Sequence, residues 1–288
     1  MQKEIRFYLQ MGITIEEWTA VEVAEPAPRA TTGPAAVLSI FNQKGGVGKT
    51  TSTISIAAAL AEYGRKVLVV DFDPQGSLTV GLTGNHEIFP TIYDVLLGNA
   101  QVADALLKTR VPGVDLLPAG IDLSSAEIQL VNEVGREFTL NRVLAPLVSD
   151  YDYILIDCLP SLGLLAINAL ATSIGLIIPL QCEFYALKGI GLLEETLEKV
   201  QLRINPSISI MGILPTMVSR SLHHREVLER VIESFGDVVF HTTIPDTIKM
   251  SDATMAAQPI TVYASSSPAA IAYRKVAAEL IQRIEATA

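Results

Sequence analysis

Cysteine is scarce in this chain, with Cys158 and Cys182 the only two in 288 residues. Two thiols build neither a disulfide framework nor a zinc site, so ordinary packing in a reducing compartment is expected of them. Basic residues are also in the minority, 21 Lys and Arg against 31 Asp and Glu, for a net charge of −10. Such a chain does not bind nucleic acid over its whole surface, although a local basic stripe remains compatible with it. The N-terminus carries Lys3, Glu4, Arg6, Glu16 and Glu17 without an apolar core. No signal peptide is expected, and the expected location is cytoplasmic. Membrane-length apolar runs are missing too. Residues 159–182 hold no charge, but Pro160, Asn168, Thr172, Ser173, Gly175 and Pro179 interrupt them. A buried helix at 162–172 and a buried strand at 174–180 are expected there instead of a span.

What the chain does have is a phosphate-binding loop, Lys44-Gly45-Gly46-Val47-Gly48-Lys49-Thr50-Thr51. The apolar run Val37-Leu38-Ser39-Ile40-Phe41 precedes it. Ile54, Ala57, Ala58 and Ala61 follow at helical spacing. A glycine-rich turn between strand and helix aims backbone N–H groups into a concave nest, and the helix N-terminus adds partial positive charge. Such a site favours a polyphosphate. Lys49 is placed to reach its β- and γ-phosphates, and the Thr50 hydroxyl to ligate Mg²⁺. The ordinary GxxxxGK[ST] pattern is broken, because Gln43 stands where its first glycine belongs.

Two further strands end in acid. Val67-Leu68-Val69-Val70 leads into Asp71-Phe72-Asp73-Pro74-Gln75-Gly76, where residues two apart in extended backbone share a face. Tyr153-Ile154-Leu155-Ile156 leads into Asp157. A hard cation prefers such oxygen ligands and keeps part of its water.

Residues 1–36 differ from the rest: a short helix is expected within 1–20, then a linker with Pro26, Pro28, Gly33 and Pro34. From residue 37 to 288 one α/β domain is expected, a mostly parallel twisted sheet of seven or eight strands with helices on both faces. The strands are expected at 37–42, 66–71, 114–117, 153–157, 174–180, 208–214 and 238–243. Helices are expected at 50–63, 91–97, 101–107, 124–133, 138–148, 162–172, 187–204, 222–235 and 266–286.

The loop resembles that of the deviant Walker A ATPases, the ParA/MinD superfamily, and in particular its ParA/Soj-type members. The resemblance covers about residues 37–286. It implies an ATP and Mg²⁺ site shared by a homodimer, with Lys44 reaching across to the partner's phosphates. A cation supplied in trans in this way can be worth roughly 10³–10⁵ in rate. It implies that Asp73 positions or polarises the attacking water, that Asp71 and Asp157 support Mg²⁺ through water, and that Leu159–Gly163 is a switch loop. The segment 179–189 is similar to the family's interface segment, with Lys188 in place of the usual acid. Leu214-Pro215-Thr216-Met217 and Thr243-Ile244-Pro245 match the adenine-holding segments, with Met217 and Pro245 against the ring.

One stretch departs from the family. Where many ParA/Soj proteins have IPRxxRxxEA and use its arginines on DNA, this chain has Ile244-Pro245-Asp246-Thr247-Ile248-Lys249-Met250. Asp246 would repel phosphate, and DNA affinity rests on cationic side chains. The remaining DNA candidates are Arg220, Arg225, Arg230, Lys249, Arg274 and Lys275. The resemblance therefore implies an ATP-switched partitioning ATPase stimulated by a ParB-like or other activating partner, with nonspecific DNA as its surface and nucleoid association as a further expectation. The alternative is a relative that organises chromosomes or positions a protein cargo with little DNA binding. A membrane ATPase is not expected, since 266–286 looks like a packed terminal helix.

Overall fold

Seven apolar runs become strands: β1 (Ala36–Ile40), β2 (Val67–Phe72), β3 (Leu107–Lys108), β4 (Val114–Leu117), β5 (Tyr153–Cys158), β6 (Gly175–Gln181) and β7 (Ser209–Thr216). The computed structural model describes residues 14–28, 33–183, 186–219 and 221–285. One sheet has the order β3-β4-β2-β5-β1-β6-β7. It is parallel except for β3, which runs antiparallel to β4. β1, β2 and β5 are buried along their whole length, as near-continuous apolar strands covered on both faces should be.

The two faces divide the side chains by alternation. Val37, Leu68, Val70, Ile154 and Ile156 pack with the helices Leu164–Thr172 and Ala186–Arg203. Leu38, Ile40, Val67, Val69 and Leu155 pack with Lys49–Glu62 and Pro268–Glu285. The order of the strands reverses around β1, and a ligand crevice opens at such a switch point outside the carboxyl ends of the strands.

Several expected elements are corrected. Residues 238–243 do not form a strand; only the isolated bridges Ile213↔Val239 and Val218↔Pro245 occur there. Arg283 supplies the reason, since its guanidinium donates to the carbonyls of Met211, Val238 and Val239 that a ladder would need. The expected helix 101–107 stops at Ala105, and Leu107–Lys108 becomes the edge strand, with Lys108 paired to Asp115 at 2.7 Å. The expected helix 138–148 is α-helical only over Thr139–Leu144 and tightens at Pro146. The stretch 124–133 is a chain of short helical turns. Helices at Ser77–Thr83, Ile248–Met255 and Ile260–Tyr263 were not expected. The uncharged run 159–182 divides into Leu164–Thr172 and β6 as expected. Among the described residues no helix is long and apolar enough to cross a membrane.

The short helix Ile15–Thr19 is closed by a capping box between Thr14 and Glu17. Trp18 is buried at 3% exposure. Its ring stacks on His241 at 4.4 Å, and its Nε1 donates to the Phe240 carbonyl at 3.5 Å. Glu16 pairs with Arg225 at 2.8 Å. Trp18→Ala is expected to lower unfolding stability by about 3 kcal/mol or more. A urea titration showing less than about 1 kcal/mol would mean that this segment contributes little to the core.

Candidate functional site

The phosphate-binding loop sits where β1 hands over to the helix Lys49–Glu62. Gly46 and Gly48 take positive φ, +76° and +86°, which L side chains rarely adopt. Gly48 is the N-cap and offers no side-chain cap, so the first N–H groups of the helix stay open to an anion. Neighbouring strands hold the loop in place. Asn42 donates to the Pro179 carbonyl at 2.8 Å and accepts from the Lys44 N–H at 3.0 Å, and Thr216 Oγ1 donates to the Val47 carbonyl at 2.9 Å. Gln43 carries a buried side-chain nitrogen with no hydrogen-bond partner among the described residues. That orphan donor fits an acceptor-rich polyphosphate.

Lys49 is buried, and its Nζ donates to the Lys44 carbonyl at 3.2 Å. Burial lowers its pKa, opposed by the charges of Asp157 and Asp73. Asp157 lies opposite both Ile40 at the end of β1 and Asp71 in β2. Thr50 Oγ1 donates to one of its oxygens at 2.6 Å and Thr53 Oγ1 to the other at 3.2 Å. Burial, then the neighbouring Asp71, pushes the Asp157 carboxyl up to about 8, with Thr50 opposing. A cation beside it would reverse that shift. Among the described residues no three His, Cys, Asp or Glu side chains form a metal cage. The oxygen set of Thr50 and Asp157 therefore suits a cation shared with phosphate and water.

Asp71 is fully buried and braces the following turn. It accepts from the Thr79 N–H at 2.8 Å, from Thr79 Oγ1 at 2.6 Å and from the Asp73 N–H at 3.4 Å. Burial pushes it up to about 6. Asp73 is half-buried, and its Oδ1 accepts from the Gln75 N–H at 2.9 Å. Lys44 is half-exposed and held within its own chain by Glu183 at 2.5 Å and Gln181 at 3.1 Å. Met217 and Pro245 line one cavity of about 160 Å³ with Thr51 of the loop helix. Cys158 and Cys182 are buried with their thiols raised by burial.

The DNA candidates do not gather. Arg225 is tied to Glu16 and Glu229. Arg274 is tied to Glu62 and to the carbonyls of Thr261 and Ser265. Arg230, Lys249 and Lys275 are exposed and make no ion pair among the described residues, but they stand on three different helices. Arg220 lies outside the described residues.

Asn42, Thr53, Thr79, Glu183 and Thr216 were missed as site residues by sequence reasoning. Thr53 alone carried a signal, a hydroxyl three residues after Thr50 on the same helix face.

A family model described as an AAA domain matches residues 35–210. An uncharacterised protein of Mycobacterium tuberculosis is 53% identical over 91% of this chain and 83% of its own. The chromosome-partitioning ATPase Soj of Treponema pallidum is 45% identical over 85% of this chain and 97% of its own. Among solved structures, cobyrinic acid a,c-diamide synthase from Mycobacterium smegmatis, with bound ADP and magnesium, superposes with a TM-score of 0.78. It is 40% identical and covers 88% of this chain and 97% of its own.

The buried acids have a consequence for stability. A carboxyl raised from 3.8 to about 8 binds its proton more tightly in the folded state than in the unfolded one. Stability of the nucleotide-free protein should therefore fall as pH rises across that window, with Asp71 adding to the fall below about 6. Asp157→Asn should flatten the decline in thermal melts between pH 5 and pH 8 (the window set by these shifts). An unchanged slope would place the titrating group elsewhere.

Proposed function

Since this chain belongs to the ParA/MinD superfamily of P-loop ATPases, we propose that it is an ATP-switched dimerising ATPase of the ParA/Soj type that acts in chromosome or plasmid partitioning. Residues 37–288 form the ATPase domain in this reading, and residues 1–36 an N-terminal extension. The observation that carries it is the convergence of Lys49, Thr50 and Asp157 in one hydrogen-bonded cluster at the mouth of an uncapped helix, with a second lysine, Lys44, half-exposed at the loop's edge.

Gly45 to Thr51 cradle the phosphates, and Lys49 holds the β- and γ-oxygens. Thr50 and Asp157 hold Mg²⁺, which when bound neutralises phosphate charge. Asp73, half-buried beside them, orients the attacking water, while Asp71 keeps Asp73 in place through Thr79 and through water supports the cation. Lys44 leaves Glu183 to reach a second subunit's phosphates, so hydrolysis in the dimer is faster than in the monomer. Turnover is slow until a ParB-like or other activating partner completes the site.

The alternative, positioning a protein cargo or organising chromosomes with little intrinsic DNA binding, is favoured by three particulars. Asp246 stands where a DNA arginine is usual in the family, and Arg225 and Arg274 are already neutralised by acids of their own chain. An amide-forming synthase, as one structural relative is described, gains less support. Both cysteines are buried with raised thiols, which leaves no accessible thiol to take ammonia from an amide donor.

Asp73→Ala should trap an ATP-bound dimer; size-exclusion chromatography with light scattering that finds only monomer under saturating Mg·ATP would refute the switch. Lys44→Ala should retain nucleotide binding and lose most turnover, and an unchanged rate would remove the trans role. On nonspecific duplex DNA, any binding should require ATP and weaken steeply with salt. A clean negative at low salt selects the cargo-positioning reading.

A further inference from the structure

The cavity beside the phosphate-binding loop is lined by apolar and hydroxyl side chains, and Asp246 is its one charged member. Met217, Ile244, Pro245 and Met250 give it flat apolar walls. The hydroxyls are largely committed. Thr216 donates to the Val47 carbonyl, Thr254 to the Met250 carbonyl, and Tyr273 shares a hydrogen bond with Ser52. The Asp246 carboxylate is different, having no hydrogen-bond or ion-pair partner among the described residues.

Its position is nonetheless fixed by backbone. The Asp246 N–H donates to the Val218 carbonyl at 3.2 Å, the Val218 N–H to the Ile244 carbonyl at 2.9 Å, and the Ile244 N–H to the Pro215 carbonyl at 2.8 Å. These bonds lash the segment bearing Asp246 to the end of β7. Between them Met217 takes a φ of +53°, unusual for a residue with a side chain. Its Cε comes within 3.9 Å of where a Cβ on Gly48 would stand. The cavity therefore opens directly onto the phosphate loop.

A flat ring seated between Met217 and Pro245, with its phosphates in the loop, would meet one uncommitted anionic acceptor. A carboxylate accepts and cannot donate, so it discriminates by whether the ring edge presents an N–H or a lone pair. We propose that Asp246 is a specificity-determining residue that accepts a hydrogen bond from the 6-amino group of a purine nucleoside triphosphate. A 6-oxo purine turns a lone pair toward the same carboxylate and is disfavoured. This rests on the nucleotide-binding reading and goes beyond apolar stacking, which alone holds any purine.

The test compares ATP, ITP, GTP and purine riboside triphosphate as ligands of the full-length protein with Mg²⁺, by calorimetry or displacement of a fluorescent nucleotide. Wild type should bind ATP roughly ten-fold tighter than ITP or purine riboside triphosphate, the scale of one hydrogen bond to a charged group at a partly open site. Asp246→Ala should bring ATP and ITP within about two-fold of each other, mainly by weakening ATP, because the lost partner is read only through the amino group. Asp246→Asn, which keeps an acceptor oxygen, should retain part of the preference. Equal binding of ATP and ITP by wild type, tighter binding of GTP than ATP, or an undiminished preference in Asp246→Ala would each overturn the assignment while leaving the ATPase reading intact. Failure of every triphosphate to bind would overturn both.

Discussion

One buried carboxylate holds the site together. Asp157 is at 1% exposure, beside a second buried acid, and receives hydroxyl hydrogen bonds from Thr50 and Thr53 on the helix across from it. Ionising it there is costly, since burial and Asp71 both oppose the charge. That cost is offset by Lys49 from one side and, in the functional reading, by a divalent cation from another. The start of the Lys49–Glu62 helix, the position of Lys49 and the neighbourhood of Asp73 all take their geometry from this point. The local frustration of the ligand-free site is what makes a cation and a polyphosphate welcome in it.

The loops that converge on Asp157 are braced from outside the motif. Asn42 ties the loop to β6, Thr216 ties it to β7, and Thr79 ties Asp71 to the turn that carries Asp73. Glu127 reaches the switch loop from the segment after β4, accepting from the Leu165 N–H at 3.1 Å. A Cβ on Gly163 would stand 2.1 Å from its carboxylate, so that glycine allows the contact. Such supports fix a first layer of functional groups to within the tolerance that phosphoryl chemistry needs.

The surface tells a different story from the site. The chain keeps the catalytic signature of its family, yet it sets Asp246 beside the nucleotide cavity and neutralises two candidate DNA arginines with Glu16 and Glu62. Charge taken from a DNA face and placed at a base pocket links the two departures. The same aspartate that weakens a polyanion surface can sharpen recognition of a neutral ring with donor groups on its edge.

Much of this was legible in residue order. The strands β1, β2, β5 and β6, the loop of 44–51 and the acids 71, 73 and 157 are local signals: apolar runs, glycines that permit positive φ, and charges at strand ends. These depend on near neighbours in the chain, so the sequence by itself determined the fold class and the chemistry of the site. Residues 238–243 read as a strand because their apolar content is right, and only Arg283 from the terminal helix decided otherwise by taking the carbonyls. Arg225 read as an available cation until Glu16, 209 positions earlier, was brought against it. Asp246 read only as a lost DNA contact until β7 and the helix Ile248–Met255 closed a cavity around it. Partners far apart in the chain leave no local pattern, because hydrogen bonds and ion pairs are set by distance in space; those assignments belonged to the tertiary structure alone.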